Sequence, residues 1–292
     1  MSQKNKMMQR KLLLLLIIIV MIPKYFGQRT PSSEVRDDLT AGSAYKLEGK
    51  ALQVNIFLSV KGKPQWTNKK KEEMLALLPE SKEWLNKELK KYNKSMDIVY
   101  KNYGINETIS FNYTEIDKKN DEWHAAILKK MGYATPVDFY NTLKKEYKFD
   151  QMYIVFFINY EGHSYAMACS KDYEDDPNYF VEYIALFNNF EGTPITDKGE
   201  HYVIPHEILH LFGALDLYEG EDQTESSEKF AVKTIPKSIM LGSIRFLDED
   251  EEQWELHQYE IDEFNAYLMG LHNKYKKWYD ILSIKHYESQ NK

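Results

Sequence analysis

The sequence predicts an α+β domain, a mixed sheet with helices packed on it, and three observations carry that reading. Leu52, Val54, Ile56, Leu58 and Val60 alternate with other residues, which is the period of a half-buried strand. Tyr153-Ile154-Val155-Phe156-Phe157-Ile158 is an unbroken apolar run, suited to a central strand buried on both faces. Around these runs lie segments whose apolar residues recur every three or four positions, the mark of amphipathic helices. The chain has 292 residues, 43% hydrophobic and 28% charged, which is enough for one full core with appendages.

The first fifty residues read as appendages. Lys4, Lys6, Arg10 and Lys11 precede an apolar run from Leu12 to Ile22, the charged-then-hydrophobic order of an export signal. That run is 11 residues, short of the roughly 20 that span a bilayer, and no small-x-small cleavage site follows closely. Residues 1–26 are therefore expected to be a signal peptide or an N-terminal anchor, and residues 27–50, rich in Ser, Thr, Gly and charge, a linker or short pro-segment. The product is expected outside the cytoplasm, secreted or anchored, with membrane contact only through this segment. One cysteine, Cys169, excludes an internal disulfide.

The remainder, 51–292, is expected to be one catalytic domain. After the first strand a charged helix runs from Asn68 to about Tyr92, with Pro79 expected to interrupt it. Asp97 to Tyr103 reads as a second strand and Ile109 to Tyr113 as a third. Two short helices follow, one over about 121–130 and one capped by Thr135 with Pro136 at its first position. Beyond the central strand, Gly162-His163 turns into a small edge strand within Ser164 to Ser170, and Phe180 to Phe187 pairs nearby. A long amphipathic helix is expected from about Glu251 to Tyr279, with Trp254, His257, Ile261, Phe264, Leu268, Leu271, Tyr275 and Trp278 on its buried stripe.

The chemistry is concentrated in Val203 to Asp216. Two histidines four apart on a helix share a face, so His206 and His210 point at one spot with metal-ligand spacing. Glu207, at the next position, could take a proton from a water activated by that metal, as a general base. A catalytic zinc takes three protein ligands and keeps a position open. Gly213 can adopt the left-handed conformation that ends a helix, which brings Asp216 round as the third ligand. The plain alternative is a surface helix with two incidental histidines, but Ile208, Leu209, Leu211 and Phe212 make the rest of the helix apolar and hence buried. His201, just upstream, reads as a solvated loop residue.

The pattern His206-Glu207-x-x-His210-x-x-Gly213-x-x-Asp216 resembles the metzincin zinc endopeptidases in the form, found in some bacterial members, that replaces the last His by Asp. The order of elements over about 50–215 resembles their N-terminal subdomain. This resemblance implies a twisted mixed sheet whose antiparallel edge strand, here Tyr165, Ala166, Met167, Ala168 and Cys169, holds the substrate in extended form by main-chain hydrogen bonds. It implies a Met-turn at Lys237 to Gly242, with Met240 as an apolar floor beneath the metal, in a C-terminal subdomain closed by the long helix. Relatives that carry a Tyr two residues after this Met use it at the metal or the transition state; here that position is Gly242. Latency through a pro-segment cysteine is not expected, since Cys169 is mid-chain.

These readings predict a zinc-dependent endopeptidase acting on a protein or peptide substrate, with one catalytic Zn²⁺. The acidic loop Tyr218 to Gln223 adds a possible Ca²⁺ site, although a solvated loop is its ordinary reading. Net charge of −7, with lysines spread among acids, gives no reason to expect nucleic acid. Two alternatives stay open: a gluzincin-type peptidase whose third ligand is a more distant Glu225 or Glu228, and a non-catalytic exported binding protein on the same scaffold.

Overall fold

A computed structural model of the chain describes residues 41–111, 122–171, 175–220, 222–246 and 254–283. The expected export segment and the first part of the expected linker lie outside these residues. Among the described residues no helix is long and apolar enough to cross a membrane.

The fold is α+β, built on a mixed sheet. In chain order the elements are β1 (Gly49–Val60), α1 (Asn68–Lys90), β2 (Met96–Tyr103), β3 (Ile109–Phe111), α2 (Trp123–Lys130), α3 (Pro136–Glu146), β4 (Gln151–Glu161), β5 (Tyr165–Met167), β6 (Tyr183–Phe190) and β7 (Thr193–Pro194). They are followed by α4 (Val203–Leu211), α5 (Glu225–Thr234), α6 (Glu263–Leu268) and α7 (Tyr279–Leu282), with short 3-10 turns between. Spatial strand order is β2-β1-β4-β6-β5. β1, β2, β4 and β6 run parallel, whereas β5 pairs antiparallel with β6 through Tyr165–Ala185, Ala166–Ile184 and Met167–Tyr183.

Each face of the sheet has its own core. On one face Leu52, Val54, Ile56, Ile154, Phe156 and Ile158 meet Trp123, Ile127, Phe139 and Leu143 of α2 and α3. On the other, Phe57, Tyr153, Val155, Phe157 and Leu186 meet α1, α4 and the C-terminal segments. β4 is central and buried on both faces, as its apolar run predicts.

β1 departs from the half-buried strand expected of its alternation. Its intervening residues Gln53, Asn55 and Ser59 are buried too, because they satisfy one another and their neighbours: Gln53 donates to Asn55, Asn55 to Asn102, and Tyr153 Oη to Gln53. Alternation of polar and apolar residues reads as half exposure unless the polar side chains have partners inside. Helix α1 likewise runs through Pro79 without a break. A proline in a helix interior costs about 3 kcal/mol. Burial of Met74, Leu77, Leu78, Trp84, Leu85 and Leu89 along one face outweighs it.

The single long C-terminal helix does not form. In its place stand a 3-10 turn at Leu256–Gln258, then α6, then α7. Asp262 is the reason for the break, since it adopts an extended conformation and caps α6 by accepting from the Phe264 and Asn265 N–H groups. Gly270, at φ 70°, ends that helix. Ile261, Phe264, Leu268 and Leu271 still face the core, so the three-and-four spacing reports burial correctly and continuity wrongly. His257, expected on the buried stripe, is exposed beside Glu255.

Residues 41–47, expected to be linker, are docked on the sheet. Ala41, Ser43, Ala44 and Leu47 are buried. Ser43 N–H donates to Phe180 O and to Glu182 Oε2, and the Met152 N–H donates to Ser43 O. Gly42 is required there, because a Cβ would come within 2.1 Å of Glu182 Oε1 and 2.5 Å of Cys169 Cβ.

Candidate metal centre

Helix α4 begins at Val203 with Pro205 inside its first turn, where a missing N–H costs nothing. His206 and His210 project from one face of it. The helix ends in a Schellman motif: Gly213, at φ 98°, donates its N–H to His210 O, and the Ala214 N–H reaches back to Leu209 O. That left-handed turn reverses the chain and delivers Asp216 to the histidines. His206 Nε2 and His210 Nε2 are 3.2 Å apart, and Asp216 Oδ1 is 3.2 Å from each.

The three atoms form a triangle that suits one metal ion. Donors about 2.05 Å from a tetrahedral centre lie about 3.3 Å from one another. The protons point the same way. His206 Nδ1 faces Ile239 O at 3.1 Å and His210 Nδ1 faces Ala214 O at 2.8 Å. A carbonyl only accepts, so each Nδ1 carries a hydrogen and each ring turns its Nε2 toward the carboxylate. Two imidazole nitrogens and a carboxylate oxygen this close together in a partly buried site form a donor set that could hold a cation. Among the described residues this is the one group of three or more metal-ligating side chains.

In the protein alone a proton can take that place. Burial opposes charge on His210, but the Asp216 carboxylate, its hydrogen bond and Glu207 outweigh burial and lift the imidazole to about 9. Burial likewise opposes charge on Asp216, and His210 with His206 outweighs it, holding the carboxyl well below its usual range.

Glu207 is buried beside the triangle, with Oε2 lacking a hydrogen-bond partner. Burial raises its pKa, while the two histidines pull it down. Tyr218, two residues beyond Asp216, was not singled out from sequence; its position shortly after the third candidate ligand was the available signal. Its hydroxyl bonds Asp216, and its ring lies against Gly242, 3.4 Å from where a Cβ there would stand. Burial and the Asp216 charge keep the phenol protonated.

Two hollows that share His206, Glu207 and Tyr218 in their walls adjoin these groups. One, about 390 Å³, runs past Ala166 and Ala168 to His206, Glu207, His210 and Asp216. The other, about 230 Å³, is walled by Phe190, Tyr202, Val203, Tyr218 and Gly242 and also reaches Glu207. The expected edge strand is shorter than Tyr165 to Cys169: it ends at Met167, leaving Ala168 on the cleft wall, and Cys169 is buried against Gly42. Met240 is fully buried, and its carbonyl accepts the Leu217 N–H.

Other residues weighed from sequence lie elsewhere. His201 is not a loose loop residue, since its ring bonds Glu80 of α1 and Thr196 O. Glu225 pairs with Lys229 on α5, and Glu228 accepts the Glu219 N–H, so neither joins the triangle. In the acidic loop, Asp222 Oδ2 accepts from Asp216 N at 3.3 Å; Glu221 lies outside the described residues. A scan against protein-family profiles and a search of curated proteins each gave no match to this chain.

Proposed function

We propose that this chain is a zinc-dependent endopeptidase of the metzincin type. The observation that carries the reading is the triangle of His206 Nε2, His210 Nε2 and Asp216 Oδ1 with a buried carboxylate beside it, one oxygen of which lacks a partner. His206, His210 and Asp216 would hold the ion. A zinc ion held there would supply Lewis-acid polarisation of the scissile carbonyl and of a water.

Glu207 accepts the proton of the attacking water and returns it to the leaving amine, a role its raised pKa suits. Tyr218, protonated and hydrogen-bonded to Asp216, would turn its hydroxyl from that carboxylate to the oxygen on which charge develops. The substrate lies along β5 as an added antiparallel strand, with side chains entering the two hollows. The Lys/Arg-rich start and apolar run of residues 1–26 support export of the enzyme, secreted or anchored.

Glu207→Gln tests the reading. The amide keeps the shape but cannot take the proton, so zinc should still bind one per chain while cleavage of a peptide library falls by at least about a hundredfold. Wild-type cleavage should stop with a zinc chelator. Activity of the Gln variant within a few-fold of wild type would reject the mechanism.

A further inference from the structure

All three candidate ligands are tied to one buried chain of hydrogen bonds that begins on α6, far from them in sequence. The Leu215 N–H donates to Asn265 Oδ1 at 2.7 Å. Asn265 Nδ2 donates to Asp262 Oδ2 at 3.0 Å, and Ser238 Oγ donates to the same oxygen at 2.6 Å. The Met240 N–H donates to Ser238 Oγ at 3.1 Å, and the Leu217 N–H donates to Met240 O at 2.9 Å. The path closes on itself through Asp216, whose two neighbours, Leu215 and Leu217, are pinned from its opposite ends.

The same path reaches the histidines. His210 is oriented by Ala214 O, the carbonyl of the peptide whose N–H is pinned by Asn265. His206 is oriented by Ile239 O, between Ser238 and Met240. Asn265, Asp262 and Ser238 are each buried to 4% exposure or less, so every bond of the path is shielded from water.

We infer that Asp262 and Asn265 are positioning residues for the metal centre: through Ser238 and the backbone of 214–217 and 239–240 they set the geometry of His206, His210 and Asp216 together. This rests on the metallopeptidase reading above. Partners that orient metal ligands in this way are worth about 10- to 100-fold in metal affinity.

The test is a zinc titration of the metal-stripped full chain against a chromophoric chelator, with the visible spectrum of the cobalt-substituted protein as a report on ligand geometry. Asn265→Ala should weaken zinc 10- to 100-fold and change the cobalt spectrum. Ser238→Ala removes one hydroxyl and should weaken zinc by a smaller factor, with Ser238→Thr restoring it; this pair carries the test if Asn265→Ala does not fold. Leu143→Ala, on the opposite face of the sheet, lowers the melting temperature as a control and should leave zinc affinity unchanged. Wild-type affinity and spectrum in both Asn265→Ala and Ser238→Ala would overturn the inference. Failure of the wild-type chain to bind zinc would instead overturn the metallopeptidase reading, and this inference with it.

Discussion

Tyr218 shows how much one side chain can change the reading of a site. Gly242 stands where the metzincin resemblance would put a tyrosine, yet the ring of Tyr218, from the loop after Asp216, packs on that glycine. The backbone at φ 58°, ψ −146° is what demands glycine at 242, since a Cβ there would only touch the ring at 3.4 Å. Tyr218→Phe should therefore lower kcat by about 10- to 100-fold with zinc content and KM little changed, since the ring stays and one charge-stabilising donor is lost. Steady-state kinetics on a cleaved library peptide check this. Glu182, which is not part of the candidate metal centre, makes a separate prediction. It is fully buried and raised to about 8, first by burial, against the opposing bonds from Ser43. Ser43 Oγ is 2.6 Å from both Met152 O and Glu182 Oε2 and has one proton for the two, an arrangement that favours a neutral acid. A carboxyl with a pKa near 8 folded and 4.5 unfolded takes up a proton on folding between those values. Its contribution to stability is complete below pH 4.5 and is lost as pH rises to 8. Urea melts of wild type and Glu182→Gln should thus diverge across that window, with wild type losing stability relative to the variant by up to a few kcal/mol. Parallel pH profiles would refute the assignment.

Among the elements, those whose sequence signal is local were legible before any coordinates. The Thr135 cap with Pro136 opens α3, the apolar run of β4 is central, and Pro205 marks the first turn of α4. That His206, Glu207, His210 and Asp216 meet in space is legible for the same reason, because helical geometry and one glycine fix their relation within eleven residues. What was not legible depends on partners distant in sequence. The buried amides of β1 hide in a pattern that reads as exposure, and the C-terminal stripe reads as one helix because its apolar spacing survives two breaks. The Schellman turn after α4 is the element on which the ligand triangle hinges. Gly213→Ala must place a Cβ at φ 98° and should cost about 1–2 kcal/mol of stability. It should also weaken zinc binding by moving Asp216, an effect that Gly192→Ala, at φ 84° in an exposed turn, should not share. Calorimetry and metal titration of the two variants separate strain from misplacement.

On the scale of the whole molecule, the sheet is a platform with long-range pairing: β1 lies between β2 and β4, and β4 joins β6, in parallel registers whose partners stand tens of residues apart. Such sheets assemble slowly and late, because each crossover must close before its strands gain anything. The ring through Leu215, Asn265, Asp262, Ser238, Met240 and Leu217 adds a further dependence on sequence order. His206, Glu207 and His210 leave the ribosome more than fifty residues before Asp262 and Asn265 do. A chain ending at residue 258 should therefore contain every candidate ligand and the candidate base yet bind zinc poorly, which equilibrium dialysis of the purified fragment would check. On the reading proposed above, such a dependence would keep the candidate centre unassembled, and the chain's neighbours uncut, until synthesis is nearly complete.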